Sequence, residues 1–271
     1  MLVIVRPPGS AFVDAISMHP DRLLIEVAAA RLQHEAFCAA IEGAGFRVLR
    51  LPEAPELPDA TFVSDTLVAL PPFVPGRPPV VVVTRPALAS RQPEVASVVA
   101  AALPHLPGAA RVIRVEAPAT LEGGDVIVYG DRVAIGMSAR TNAAGAAVLA
   151  NAVRGAGYRP FLCPVTGRLH LATAVTPVGP RTLIGTAAGY ASLDAAEGDA
   201  APADEIRRLV LSDEDLPAAN VLWLEGHVFL AAGFPRASAL LAGEGLTVHE
   251  IELDQFGLAD GGPTCLVNVL P

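Results

Sequence analysis

The feature that most constrains the fold is a repeat. Short apolar runs end, five times, in a turn of small residues that leads into an alanine-rich helical pattern. They are LVIVRPPGS from Leu2, VVVVTRPALAS from Val80, RVAIGMSARTN from Arg132, RTLIGTAAG from Arg181 and HVFLAAGFP from His227. From the second run onward they recur at intervals of about 50 residues, a period typical of internally repeated architectures. The first interval is longer, and its extra length, LPDATFVSDTLVAL from Leu57 to Leu70, reads as an additional strand pair. A second strand follows most helical stretches: GFRVLRLP, AARVIRVEAP, GYRPFLCPV and GLTVHEIEL. This alternation of strands and helices implies an α/β domain. Five units at one spacing predict five blades around a pseudo-symmetry axis rather than an open sheet. No linker-like segment divides the 271 residues, so one domain over 1–271 is expected. The Asp/Glu/Pro-rich stretch from Ala195 to Leu216 reads as a surface loop and short helix inside the fourth unit.

Composition narrows the chemistry. The chain is half apolar, but no charge-free apolar run is long enough, at about 18 residues, to span a membrane. Its start, MLVIVRPPGSAFVDAI, reads as a strand and turn rather than a basic leader with an apolar stretch, and a cytoplasmic protein is expected. Three widely spaced cysteines make no disulfide framework, and no CxxC or HExxH spacing suggests a metal. The net charge of −9 disfavours nucleic acid and favours a cationic small molecule. All 19 basic residues are arginine, which excludes Schiff-base, pyridoxal-phosphate and P-loop lysine chemistry.

Several positions carry possible chemistry, each with an ordinary alternative. Cys265, in DGGPTCLVNVL, is either a nucleophile behind a flexible turn or a small hydrophobe at the start of a closing strand. Cys38 and Cys163 sit at core spacing in a helix and a strand. Glu122 and Asp125 flank a Gly-Gly pair in LEGGDV, as solvated acids of a hairpin or as carboxylates held for a cation. His170, in RLHLATAV, opens a strand, where a histidine is usually structural. Arg85 and Arg91 in TRPALASR, and Arg140 in SARTN, are surface charges or clamps for a carboxylate. Asp59 and Asp65 lie six apart on a strand-like stretch, so both could face one side.

Taken together, PD-x-x-FV-x-D, LEGGDV, SARTN, the Leu-His pair and DGGPTC resemble, in order and spacing, the dimethylarginine dimethylaminohydrolases. These belong to the pentein superfamily of guanidino-modifying enzymes, and the resemblance covers essentially the whole chain. It implies a five-bladed α/β-propeller of five pseudo-symmetric ββαβ-like units around a central active site. It implies Cys265 as nucleophile, His170 as acid/base and Glu122 as catalytic carboxylate. It further implies that Asp65 holds the guanidino group, Asp59 the α-amino end, and Arg85 and Arg140 the α-carboxylate. Ile16, at a lid, and Ala259 match backbone contacts to ligand. The implied reaction releases citrulline and methylamine or dimethylamine through an S-alkylthiouronium on Cys265, with no metal or organic cofactor. The partner is a small cationic amino acid, the protein a monomer or homodimer.

Two positions depart from the family pattern. Ser64 stands in the binding shell where relatives carry Glu, and Ala172 stands where arginine deiminases carry an aspartate. Both favour a substituted guanidine over free arginine. The alternatives are another pentein hydrolase, acting on arginine or citrulline, and, more remotely, a non-catalytic pentein that binds a large partner.

Overall fold

The computed structural model describes residues 1–197 and 206–271. Every repeated apolar run becomes the middle strand of a three-stranded sheet. In the first sheet β1 (Leu2–Val5) runs parallel to β2 (Arg47–Arg50). The next three sheets are β3 (Leu67–Leu70), β4 (Val80–Val83) and β5 (Arg111–Arg114); β6 (Val126–Tyr129), β7 (Arg132–Met137) and β8 (Arg159–Pro164); and β9 (Val175–Gly179), β10 (Thr182–Thr186) and β11 (Arg207–Leu211). The fifth contains β12 (Leu222–Leu224), β13 (His227–Ala231) and β14 (Thr247–Ile251). The last strand, β15 (Asn268–Leu270), returns to pair antiparallel with β1 and completes the first sheet. In each blade an antiparallel strand and a parallel strand flank the middle one.

A helix crosses from each middle strand to its parallel neighbour: α1 (Val27–Gly43), α2 (Glu94–Ala102), α3 (Ala143–Ala156), α4 (Ala187–Glu197) and α5 (Pro235–Gly243). Parallel pairing demands such a crossover. The middle strands are buried along nearly their whole length, and β4 is four consecutive valines, which suits a sheet covered on both faces. Helix α3 shows how local sequence delimits an element. Asn142 caps it by accepting from Gly145 N at 2.9 Å, and Gly157 ends it with φ +101°.

The apolar core is divided among the blade junctions. Leu2 and Ile4 pack with Val81 and Val83, Val80 and Val82 with Val133 and Ile135, and Ala134 and Cys163 with Val175 and Leu183. Ile184 and Leu209 pack with Val228 and Leu230, and Phe229 and Leu224 return to Val3 and Val5. Each blade thus buries apolar surface against both neighbours, and the ring closes.

Three expectations change. Residues 57–70 form one strand, β3, preceded by a 3-10 turn at Val63–Thr66, rather than a strand pair. His170 does not open a strand but precedes a 3-10 turn at Leu171–Thr173, five residues ahead of β9. In the Ala195–Leu216 stretch, the end of α4 and then β11 occupy positions read as loop, because β11 alternates exposed and buried residues among charges; residues 198–205 lie outside the described residues.

One regularity positions the site. The antiparallel strand of every blade is preceded by a 3-10 turn: Val63–Thr66, Gly123–Asp125, Leu171–Thr173, Asp213–Ala219 and Pro263–Leu266. The turn at Pro263–Leu266 packs against that at Val63–Thr66, which packs against Gly123–Asp125, and so on to Leu171–Thr173 and Asp213–Ala219. Side chains from these turns converge at the centre.

Candidate active site

A narrow cleft is lined by Ile16, Asp59, Asp65, Arg91, Arg140, His170, Ala259 and Cys265, with Phe62, Leu169, Asp260 and Gly261 between them. Residues far apart in sequence meet here: Asp65, His170 and Cys265 come from the turns that open blades, and Ile16, Arg91 and Arg140 from the segments that follow middle strands.

Cys265 lies within the Pro263–Leu266 turn, half-buried, and its backbone N–H donates to Gly262 O at 3.0 Å. Burial and the charge of Asp65 push its thiol above the usual value. Cys38 and Cys163 are fully buried among apolar neighbours, and burial lifts the Cys38 thiol to about 12.

His170 is buried, and its Nε2 lies 3.0 Å from Glu122 Oε2. Burial alone would drive the imidazole towards neutrality, but Asp65, Glu122 and Asp125 outweigh it and raise the pKa to about 9. Glu122 is fully buried, and its second oxygen accepts from Ala87 N at 3.1 Å. It is therefore not a solvated acid of a hairpin. The hairpin itself, β6 to β7, begins four residues later.

Asp125 takes a different place. Its Oδ2 accepts from Ser138 Oγ at 2.6 Å and Thr141 Oγ1 at 2.7 Å, and its Oδ1 from Leu171 N at 3.2 Å. It ties the SARTN turn to the turn that carries His170. The Gly-Gly pair between the two acids has a packing reason. A Cβ on Gly124 would lie 2.7 Å from His170 Nδ1, so the glycine is what lets the imidazole approach the backbone.

Asp65 accepts from Gly124 N at 2.8 Å and pairs with Arg91 Nη1 at 2.7 Å. Burial raises its carboxyl, but His170 and Arg91 prevail and hold it below the usual carboxylate range. Asp59 Oδ1 accepts from Ile16 N at 3.0 Å, and burial raises its carboxyl. The Ile16 segment is also fastened to the stretch just before Cys265, where Asp260 Oδ2 accepts from Met18 N at 2.6 Å and from Ser17 Oγ at 2.9 Å. Asp59 and Asp65 do face the same cleft, but through turns and not through the two-residue alternation of a strand.

The arginines require a correction. Arg85 bridges to Leu121, and its Nη1 donates to Ala119 O at 3.3 Å; it does not line the cleft. The lining arginine of that segment is Arg91, six residues later. It is buried and bonded to Asp65, Glu94 and the carbonyls of Phe62 and Asp59. An Arg–Glu pair three apart, in SRQPE, was the available signal for a fixed guanidinium. Arg140 behaves differently: its Nη1 is buried without a hydrogen-bond partner, 3.6 Å from Glu122 Oε1. Ser64 and Ala172 also stand outside the cleft lining. Ligand-type atoms of Asp65, Glu122 and His170 lie within 4.8 Å of one another, and Arg91, Arg140 and the imidazolium supply the positive charge among them.

A residue with no sequence signal also reaches the sulfur. Asn220, in AANVL, places Nδ2 3.6 Å from Cys265 Sγ.

Comparison with known proteins places this geometry. A family model described as Arginine deiminase matches residues 81–159. The N(G),N(G)-dimethylarginine dimethylaminohydrolase of Streptomyces coelicolor is 31% identical over 264 residues, 97% of this chain and 94% of that protein. The enzyme of the same name from Pseudomonas aeruginosa is 29% identical over 266 residues, 97% of each chain. A solved structure of the Pseudomonas aeruginosa enzyme, a mutant complexed with citrulline, superposes with a TM-score of 0.83 at 27% identity, covering 98% and 97% of the two chains. The N-terminal domain of ArgZ, an arginine dihydrolase from Cyanobacteria, shares the fold at TM-score 0.80 and 18% identity, over 98% and 97%. With its five-bladed ring and near-complete alignment, the chain belongs to the dimethylarginine dimethylaminohydrolase family of penteins, hydrolases of carbon–nitrogen bonds in linear amidines.

Proposed function

We propose that the protein hydrolyses the methylated guanidino group of N(omega)-methylarginine or asymmetric dimethylarginine to citrulline and methylamine or dimethylamine. The observation that carries this reading is His170, held 3.0 Å from the buried Glu122, in the same cleft as Cys265. A guanidinium carbon is a poor electrophile, so attack requires a thiolate. The thiol is neutral at rest, and the cationic substrate beside the sulfur favours its ionisation. The thiolate adds to the guanidinium carbon, and the carbon–nitrogen bond to the substituted amine breaks as His170 delivers its proton to the departing nitrogen. Water then adds to the thiouronium carbon, His170 takes a proton from it, and the carbon–sulfur bond breaks to free citrulline and the thiolate. Glu122 keeps the imidazole oriented in both steps.

Asp65 accepts from the guanidinium, Asp59 from the α-amino group, and Arg140, with its unpartnered Nη1, donates to the α-carboxylate. The backbone at Ile16 and Ala259 completes the amino-acid end. Citrulline in the related Pseudomonas aeruginosa structure supports a ligand of this class. Asp65 and Glu122 already accept from protein donors, so the cleft has little acceptor capacity to spare. Free arginine brings more N–H groups than its methylated forms, and each one buried without an acceptor costs about 1–3 kcal/mol. This gives roughly tenfold to hundredfold discrimination in kcat/KM.

The test is mass spectrometry of products from asymmetric dimethylarginine, monomethylarginine, arginine and citrulline. Amine release from the methylated substrates, with arginine slower, is expected. Arginine turned over as fast as its methylated forms would replace this reading with a deiminase, and citrulline as the preferred substrate with a citrulline hydrolase.

A further inference from the structure

Four of the five 3-10 turns have a neighbour in the reaction: Asp65, Glu122, His170 and Cys265 stand in or next to the turns that open the second, third, fourth and first blades. The turn of the fifth blade ends at Ala219, and the residue that follows it is Asn220, 6% exposed. The pseudo-symmetry places this amide where each other blade presents a reacting group. A second observation is independent of the symmetry. The Asn220 amide has one orientation available to it, because Oδ1 accepts both the backbone N–H and the Oγ–H of Thr264, each at 2.9 Å. The NH₂ is therefore directed at Cys265 Sγ, 3.6 Å away.

The mounting is rigid. Asn220 N donates to Pro217 O at 3.3 Å. Next to it, Val221 N donates to Thr176 Oγ1 at 3.1 Å, and that hydroxyl donates to Ala219 O at 2.6 Å. On the other side a Cβ at Gly262 would lie 2.6 Å from Asn220 Cγ, so the glycine lets the amide pack directly on the cysteine turn.

We propose that Asn220 is a catalytic residue whose amide N–H donates to the Cys265 sulfur, supporting the thiolate before it attacks and again when it is expelled. This rests on Cys265 being the nucleophile. In the first step the sulfur lone pair forms the carbon–sulfur bond, and the sulfur of the resulting adduct is a weak acceptor. In the second step the electron pair of that bond returns to sulfur, and the N–H···S⁻ contact forms again. The groups around the sulfur are Asp65, His170, Asp59, Asp260, Arg91 and Arg140. Asn220 and the Thr264 hydroxyl are the uncharged side-chain donors facing it, so removal of Asn220 leaves the charge of the cleft unchanged.

A donor to a thiolate has a two-sided effect. It enlarges the ionised fraction but lowers the reactivity of each thiolate, with a Brønsted slope of about 0.4–0.5, and it makes the thiolate a better leaving group. The test is the rate of Cys265 alkylation by iodoacetamide from neutral to alkaline pH, read by mass spectrometry. Cys38 and Cys163, each 0% exposed, stay unlabelled. Asn220→Ala is expected to raise the apparent pKa of Cys265 by about one unit, the scale of a hydrogen bond to a charged acceptor. Alkylation then slows about threefold at neutral pH and quickens about threefold above the pKa, so the two curves cross. Asn220→Asp, which keeps the Thr264 bonds and sets a carboxylate against sulfur, is expected to raise the pKa further. Should either variant fail to fold, the near-isosteric Asn220→Leu removes the same N–H, keeps the Thr264 hydroxyl at the sulfur and is expected to give a rise in the same direction.

Curves that differ by one factor at every pH, with the apparent pKa unmoved, would mean that Asn220 merely supports the turn, and the proposal fails. No substrate enters this measurement. A shifted pKa in a protein that releases no amine from any guanidine overturns the functional reading and leaves the Asn220 contact standing.

Discussion

In the proposed reaction His170 gives a proton and then takes one, and its neighbours set the state in which it begins. With a pKa raised to about 9 against the effect of burial, it is an imidazolium at neutral pH and has a proton ready for the leaving amine. The Cys265 thiol is displaced upward as well, so its ionised fraction grows as pH rises. The sign of the pH dependence follows. kcat/KM climbs with pH while thiolate is gained, levels off once His170 begins to lose its proton near pH 9, and falls only above the displaced pKa of Cys265. A rate profile that keeps rising through that region would remove His170 as the acid. Cys265→Ser is expected to abolish turnover while circular dichroism shows an intact fold. Cys38→Ser and Cys163→Ser are expected to lower stability and leave the rate per folded molecule unchanged, since both thiols lie in the core.

At the scale of elements, the turns decide which of two similar residues can act. Arg85 stands just beyond β4 and is drawn into a bridge with Leu121, which spends its guanidinium on a backbone carbonyl. Arg140 stands on the turn between β7 and α3. Its backbone N–H is held by Ser138 Oγ at 3.0 Å, and its guanidinium extends into the cleft. Arg140→Ala is expected to weaken binding of free amino-acid substrates by about 1.5–3 kcal/mol, the loss of a charge-assisted hydrogen bond. Guanidines that lack an α-carboxylate should be little affected, and Arg85→Ala should leave both kinds of substrate unchanged. Steady-state kinetics on paired substrates checks this. An increase in KM for Arg85→Ala equal to that for Arg140→Ala would show that Arg85 also reaches the carboxylate.

At the scale of the molecule, closure of the ring and assembly of the site are one event. The pairing of β15 with β1 completes the first blade with the last strand of the chain, and Cys265 lies three residues ahead of β15. Asn268, in that strand and buried, donates through Nδ2 to Val63 O at 3.1 Å and Leu67 O at 2.9 Å, fastening the closing strand to the second blade. Asn268→Ala leaves both carbonyls without this donor. A loss of about 2–3 kcal/mol is expected, lowering Tm by roughly 5–10 °C. Calorimetry reads the change, and an unaltered Tm would show that closure does not depend on this side chain.

The middle strands, the crossover helices and the five-fold count are legible in the sequence because they are local. A run such as VVVV beside an alanine-rich stretch carries its own periodicity, and the Asn142 and Gly157 signals mark the ends of α3 without reference to the rest of the chain. The 3-10 turns are not legible in this way, since three or four residues make too short a span for a period. That is why residues 57–70 resemble two strands and His170 resembles a strand start. The direction of a side chain leaving such a turn is set by the neighbouring blade. The carbonyl of Ala119 engages the Arg85 guanidinium, the bonds to Asp65 and Glu94 hold Arg91 in, and Thr264 points the Asn220 amide at a sulfur 45 positions along the chain. Those contacts exist only once the ring is closed, so the tertiary structure alone decided which arginine and which amide reach the cleft.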